Sequence, residues 1–586
     1  MKTKNIKKIL LAATVCCGFV ATAPLTSCSS WIDEDTSTLM TTGDSRDDAD
    51  AWLTGVYSKW IVDIFCWGYF PRVLELDADY VAGPDWYFGT FGSGNFQGES
   101  DVTDALWKGC YGLIERSNTA QRHIEVMTSL TEDEKNNYIG ELKFQRAFCY
   151  FLLVRAYGDV PIQSEDETSQ LSRPRESVVK VYDYIERLLE EAAGQMYKNT
   201  DSRYQAGHVC AGSAAGLLAK VYATEASSAL QTSDKITVRT GTAYDGDGSD
   251  RMYAPLQSFE LTKNVVKGYE GLDAKALYTQ AAKWAKAVVD GDYGTYELLP
   301  YDQLWKKASA TASEFMFSIG SVSGDATYKN AIYTTYEGVF QGESEFIGDG
   351  QYLGCTRHWY DLFEPTDLRI VKGVKHRWRN TSHQATNNGF FYPLTNEYSI
   401  MATGKDLNGQ TVGDGKPSGI YADGVSYYYN KTSECLAFTT KYADVTNPSI
   451  KDADANWPFL RLADVLLVYA EALNELGQAQ PSLDELNKVR RRSQATEAVL
   501  SGNGALDTQA KRRSAIIEER AKELACEADR RWDLIRWGIY LDAMNAVGTD
   551  DAGNSKVRSE RNLLFPIPQP EINTNAEITA NNPGWN

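Results

Sequence analysis

Thirteen consecutive residues, Pro84-Asp85-Trp86-Tyr87-Phe88-Gly89-Thr90-Phe91-Gly92-Ser93-Gly94-Asn95-Phe96, gather five aromatic rings into one glycine-rich stretch. The rings follow neither a helical nor a strand period, so they are hard to bury together. A flat ring face stacks on the C–H face of a sugar, and the neighbouring Asp85 and Asn95 can hydrogen-bond its hydroxyls. Trp86, Tyr87, Phe91, Asp85 and Asn95 are therefore the first candidates for sugar contact on a loop. The competing reading is a local mini-core. Tyr333, Tyr336, Trp359, Phe391 and Tyr392, in the irregular middle of the chain, are secondary candidates.

Signals for covalent chemistry are poor. The five histidines, His123, His208, His358, His376 and His383, are scattered, with no His-Glu-x-x-His, no Gly-x-Ser-x-Gly and no Gly-x-x-x-x-Gly-Lys. Asp245-Gly-Asp247-Gly-Ser249-Asp250 begins like a calcium loop, but its sixth position is Asp250 and its twelfth is Leu256, where glycine and glutamate are needed. No cofactor or metal is expected. A glycosidase needs two carboxylates facing one sugar bond, and nothing among 79 acidic residues singles out such a pair.

The elements that must position the rings are mostly helical. Apolar residues recur at helical spacing over 47–60, 137–157, 174–193, 211–229, 274–289, 458–476, 482–492 and 508–527. Gly158 and Pro161 end the second of these, and Pro174 suits a first helical position. Helices of this size joined by short turns predict stacked antiparallel hairpins of a degenerate tetratricopeptide kind. The stretch 293–442 lacks long stripes and reads as loops, short strands and short helices. The predicted organisation is a helical region at 47–320, a loop-rich region at 321–450 and a second helical region at 451–586.

The first 27 residues read as a cleavable export signal. Lys2, Lys4, Lys7 and Lys8 precede an uncharged run from Ile9 to Ala23, too short to span a bilayer. Leu25-Thr26-Ser27-Cys28 then resembles the bacterial lipobox, with Cys28 as the lipidated residue and 28–46 as an acidic tether. Two or more acyl chains hold a protein stably on a membrane. Removing the signal leaves 55 basic against 79 acidic residues, a net charge of −24. A chain this acidic repels phosphate backbones, which argues against nucleic acid as a partner. Ten cysteines are present. Seven remain beyond the signal and Cys28, widely spaced and with no Cys-x-x-Cys pair. Cys149 and Cys526 sit in helical apolar patterns and read as buried small residues.

Four segments together carry a resemblance. They are Glu141 to Pro161, with Arg146, Tyr150, Tyr157 and Asp159; Phe459 to Glu475, with Arg461, Asp464, Tyr469 and Glu471, leading to Leu486-Asn487-Lys-Val-Arg490; Ile517-Glu-Glu519-Arg520, followed by Arg530-Arg531-Trp532-Asp533-Leu-Ile-Arg536-Trp537; and Leu564-Phe-Pro566-Ile-Pro568 with Asn582-Pro-Gly-Trp585. In order and spacing they resemble the SusD-like (RagB/SusD) family of Bacteroidetes lipoproteins. Gln145, Cys149 and Ala528-Asp529 depart from it as packing variations. The resemblance implies a SusD-like, mostly α fold. It also implies a lipid-anchored outer-membrane protein facing the extracellular side, which binds a glycan without cleaving it and passes it to a SusC-like TonB-dependent transporter. Two rivals stand beside this: a SusD-like protein serving peptide uptake, and a surface-anchored helical glycoside hydrolase. Trp359 precedes Asp361-Leu-Phe363 and Asp367-Leu-Arg369, which resemble a scaffold segment of the family, so it competes as a core residue. Arg146, Glu471, Arg490, Glu519, Arg520 and Arg536 read as helix–helix ion pairs.

Because the acyl chains are the only anchor this reading supplies, Cys28→Ala is expected to move the protein out of the membrane fraction or to stall its processing. Fractionation of cells lacking the transporter checks this, and a mutant still on the membrane contradicts it.

Overall fold

The computed structural model describes residues 43–65, 69–165, 172–245, 252–325, 327–341, 345–346, 350, 352–380, 388–391, 426–428 and 436–585. It is mostly α-helical, with short two-stranded pairings and one five-stranded sheet of short strands. Each long helix packs on its neighbour in the chain. Ser100–Glu125 lies on Glu132–Tyr157, then Val178–Gln195, Ala211–Ala229 and Ala274–Val289 follow in turn, and Leu462–Glu475 docks on Ala274–Val289 and carries Ala479–Arg492. The irregular middle is thus inserted between two helices that touch.

Ala211–Ala229 is buried along its whole length. A helix with small residues on every side can be enclosed by others. At Gly216 an added Cβ would lie 2.8 Å from Met316 Cε and 3.1 Å from Val465 Cγ2, so the close approach requires glycine there. Glu132–Tyr157 begins in a reciprocal cap, with Thr131 accepting from the Glu134 N–H and Glu134 from the Thr131 N–H, and ends at Gly158 with φ 74°.

Several boundaries differ from the expected ones. Residues 174–177 are extended, because Glu176 pairs with Val160 in an antiparallel bridge; the helix starts at Val178 behind the Ser177 cap. Trp457–Arg461 is a strand, pairing with Phe315–Ile319, and its helix starts only at Leu462. Pro458 cannot donate to a helix interior, which fits this outcome. The last expected helix stops at Glu523, and Cys526 lies beyond it with φ 61°. Ser100–Glu125 was not anticipated, although Val102, Leu106, Cys110, Leu113, Ser117, Ala120 and Ile124 form a stripe at steps of three or four.

Buried ion pairs join the helices. Arg536 donates twice to Glu471, at 2.6 and 2.7 Å, and once to Asp533 at 2.8 Å. Arg520 bridges Asp533 and Asp464, and Lys220 joins Asp464 to Asp529. Arg490 meets Glu519 at 3.2 Å. Arg146 takes neutral partners instead, Gln121 Oε1 at 2.6 Å and Ser117 Oγ at 3.4 Å.

Removing one partner from such a network strands the others in low dielectric. Arg536→Ala is therefore expected to cost about 3–5 kcal/mol, because Glu471 and Asp533 lose a buried cation. Chemical unfolding followed by circular dichroism checks it; an unchanged midpoint contradicts it.

Candidate ligand-binding platform

The platform is built outward from three buried acids. Glu75 Oε1 accepts the Ala528 N–H at 2.6 Å. Asp77 accepts from Arg531 Nε at 2.8 Å, Arg558 Nε at 2.7 Å and the Tyr540 hydroxyl at 2.5 Å. Asp79 and Arg530 form a two-point pair at 2.8 and 2.7 Å. The Lys556 ammonium donates to the carbonyls of Leu76, Ala78 and Val81 at 2.9, 3.1 and 2.8 Å. Burial pushes Lys556 down to about 8 and Glu75 up to about 8. The backbone over 75–81 is thus held from both its side chains and its carbonyls.

Val81–Ala82 then pairs antiparallel with Gly354–Cys355. Gly83 passes so close to this partner that a Cβ would lie 2.5 Å from the Tyr352 carbonyl oxygen. The stretch read as a loop is in fact a short helix, Asp85–Gly92, kinked at Gly89 with φ 57° and ψ −165°, followed by a tight turn at Phe96–Glu99. A non-glycine residue is strained at such a φ.

This geometry sorts the five rings. Phe88, Phe91 and Phe96 point inward. Phe91 is fully buried, 4.8 Å from Phe96 and 5.5 Å from Phe565 between centroids, and Phe96 lies 5.5 Å from Trp585. Trp86 points outward and is 67% exposed. Tyr87 is half-buried, stacks on Tyr352 at 4.7 Å with 29° between planes, and has its hydroxyl 3.3 Å from Thr335 Oγ1. The Arg72 guanidinium lies 5.4 Å from the Tyr87 ring centroid, and burial raises the Tyr87 hydroxyl pKa. Trp86 stands edge-on to both tyrosines, at 5.0 Å and 83° to Tyr352 and at 6.0 Å and 79° to Tyr87. Two N–H bonds to the Thr335 carbonyl, from Tyr352 at 2.8 Å and Leu353 at 3.0 Å, fix the far ring. Asp85 and Asn95 are exposed; the Asp85 carboxylate accepts the Trp86 N–H at 2.7 Å.

The other candidates fare differently. Phe91 is core, as above. Tyr336 is also fully buried, 5.1 Å from Tyr442 and 6.2 Å from Trp457. Tyr333 is buried with its hydroxyl on the Pro448 carbonyl. Trp359 is buried and donates Nε1–H to the Ala521 carbonyl at 2.9 Å. None of these can offer a ring face to a ligand. Tyr392, the Phe391 side chain and Cys28 lie outside the described residues, as do positions 246–251 of the incomplete calcium loop. Tyr352 was missed: it is one ring in a featureless stretch, and only the pairing with Val81–Ala82 brings it to Trp86.

Fold and platform together define a helical scaffold that displays aromatic rings from segments braced by its far C-terminal part. Residues 347–585 match the sequence model of the SusD family, and residues 82–223 match a model described as starch-binding associating with outer membrane. SusD-like protein P2 of Formosa agariphila is 23% identical over 501 residues, covering 83% of this chain and 81% of its own. A SusD homolog from Bacteroides thetaiotaomicron superposes with a TM-score of 0.69 at 23% identity, covering 95% of this chain and all of its own. Surface glycan-binding protein A from Bacteroides fluxus does so with a TM-score of 0.62 at 17% identity, covering 93% of this chain and all of its own. The chain belongs to the SusD-like family.

Phe91→Ala is expected to cost about 3–5 kcal/mol of stability, the usual range for emptying a phenylalanine site in a core. Melting and unfolding curves check this. A variant that melts like the parent protein contradicts the inward placement of the ring.

Proposed function

We propose that this chain is a surface lipoprotein that captures a glycan on the Trp86–Tyr87–Tyr352 platform and passes it, uncleaved, to a SusC-like TonB-dependent transporter. The observation that carries the reading is Trp86, a large flat ring left in water on a rigidly braced element. An exposed tryptophan that meets two tyrosines edge-on offers a corner in which a sugar ring gains apolar contact on one face. The exposed Asp85 and Asn95 can bond its hydroxyls. Family membership supports the same direction: one matching model is described as starch-binding, and a structural neighbour is named as a surface glycan-binding protein. The outer-membrane placement draws on that same description and on the lipobox at Cys28. Trp86, the exposed ring of the three, stands where a chain can meet it from solvent and be released intact.

Truncating a central aromatic anchor commonly costs about 2 kcal/mol or more of binding, and about 2 kcal/mol is roughly a thirtyfold weakening. Trp86→Ala is expected to weaken binding to the best polysaccharide of an affinity-gel panel by about that factor, while the melting temperature barely moves. Calorimetry and circular dichroism on one preparation check both. Unchanged affinity moves the site elsewhere, binding to peptides but to no glycan favours the peptide-uptake rival, and sustained release of reducing ends overturns the non-catalytic reading.

A further inference from the structure

Two buried thiols lie against each other where the platform joins the C-terminal network. Cys355 Sγ and Cys526 Sγ are 3.7 Å apart, from residues separated by 171 positions. A disulfide needs the sulfurs at about 2.05 Å, so closing the bond takes a shift of under about 2 Å. Both backbones are fixed independently. Cys355 pairs with Val81 in the platform strand and exchanges both bridge hydrogen bonds with Ala437. Cys526 sits in the left-handed region, and its carbonyl accepts the Tyr442 hydroxyl at 2.5 Å. Before it, the Ala525 carbonyl accepts from the Lys441 ammonium, and after it Glu527 bonds Arg461 and the Ala528 N–H bonds Glu75. The thiols therefore meet because two separately anchored segments aim them at one point.

We infer that Cys355 and Cys526 form a disulfide when the chain folds outside a reducing compartment, an inference that rests on the export reading above. The oxidant is a protein or small-molecule disulfide. One cysteine thiolate attacks a donor sulfur, giving a mixed disulfide and releasing a donor thiolate. The second thiolate attacks the mixed disulfide, forms the Cys355–Cys526 bond and releases the other donor thiolate. The two cysteine protons end on the two donor thiols; the pair loses two electrons and the donor gains them. The mutual thiol contact and burial raise the Cys526 pKa in the folded protein, so exchange is slow there and the bond forms while the segment is still open. Once closed in, it ties the strand that follows Tyr352 to the turn that holds Glu75.

The test uses the full chain in two arms. Protein taken from membranes of exporting cells is alkylated in denaturant without reductant, digested and analysed by mass spectrometry. In parallel, the chain is refolded from denaturant in a glutathione redox buffer and treated identically. The expected result is a crosslinked peptide joining Cys355 to Cys526, near-complete loss of alkylation at both, and disappearance of the link in C526S. A link in the refolded arm alone upholds the pair and counts against export. Full alkylation of both cysteines in both arms, or a bond from either to Cys66 or Cys435, overturns the inference.

Discussion

A carboxylate buried without a cation costs several kcal/mol, and this constraint governs the platform. Three buried acids, Glu75, Asp77 and Asp79, alternate within five residues of chain; Asp77 and Asp79 meet arginines, while burial lifts Glu75 to about 8, so that it stays protonated at neutral pH and takes a backbone N–H instead. Their partners, Ala528, Arg530, Arg531 and Arg558, lie more than 450 positions away. Neither segment can shift register without stranding charge. The chain therefore leaves Asp79 at a fixed place and angle, and Trp86 follows only seven residues later. A ring that must meet a ligand gains from such bracing, because little mobility has to be lost on binding.

The same network explains why the platform touches both ends of the sequence. Lys556 fills a cage of three carbonyls beneath Val81, and Arg558 reaches on to the Gly92 carbonyl at the end of the short helix. Phe91 of that helix and Phe96 just beyond it complete a cluster with Phe565 and Trp585. Family motifs near the C-terminus, Arg530-Arg531 and the Phe565 and Trp585 positions, thus brace the N-terminal segment that carries Trp86. Under the proposed function, ligand contact falls to the residues that this packing turns outward.

Much of the scaffold was legible in the sequence because local periodicity determines it. Ala211–Ala229 and Ala274–Val289 begin and end where the pattern says. Arg520, Arg536, Glu471, Arg490 and Glu519 form the ion pairs that charges on amphipathic helices imply. The failures have physical causes. Val178 starts late because a long-range bridge holds Glu176 extended, and Trp457–Arg461 is a strand because Phe315–Ile319 lies beside it. The platform was legible only in part. The density of rings marked the thirteen residues from which Trp86 emerges, but which rings face outward depends on the Gly89 kink, which composition does not reveal. Tyr352 lies 265 positions from Tyr87, and Phe91, Tyr336 and Trp359 are core because of tertiary partners that no local pattern names.

The most direct measurement is a crystal structure of the protein with an oligosaccharide drawn from the polysaccharide it retains best. The account predicts a sugar ring with its C–H face in van der Waals contact, about 4 Å, with the Trp86 indole, further apolar contact to Tyr352, and hydroxyls bonded to Asp85 or Asn95. A sugar bound at another surface, with the Trp86 face bare, would contradict it.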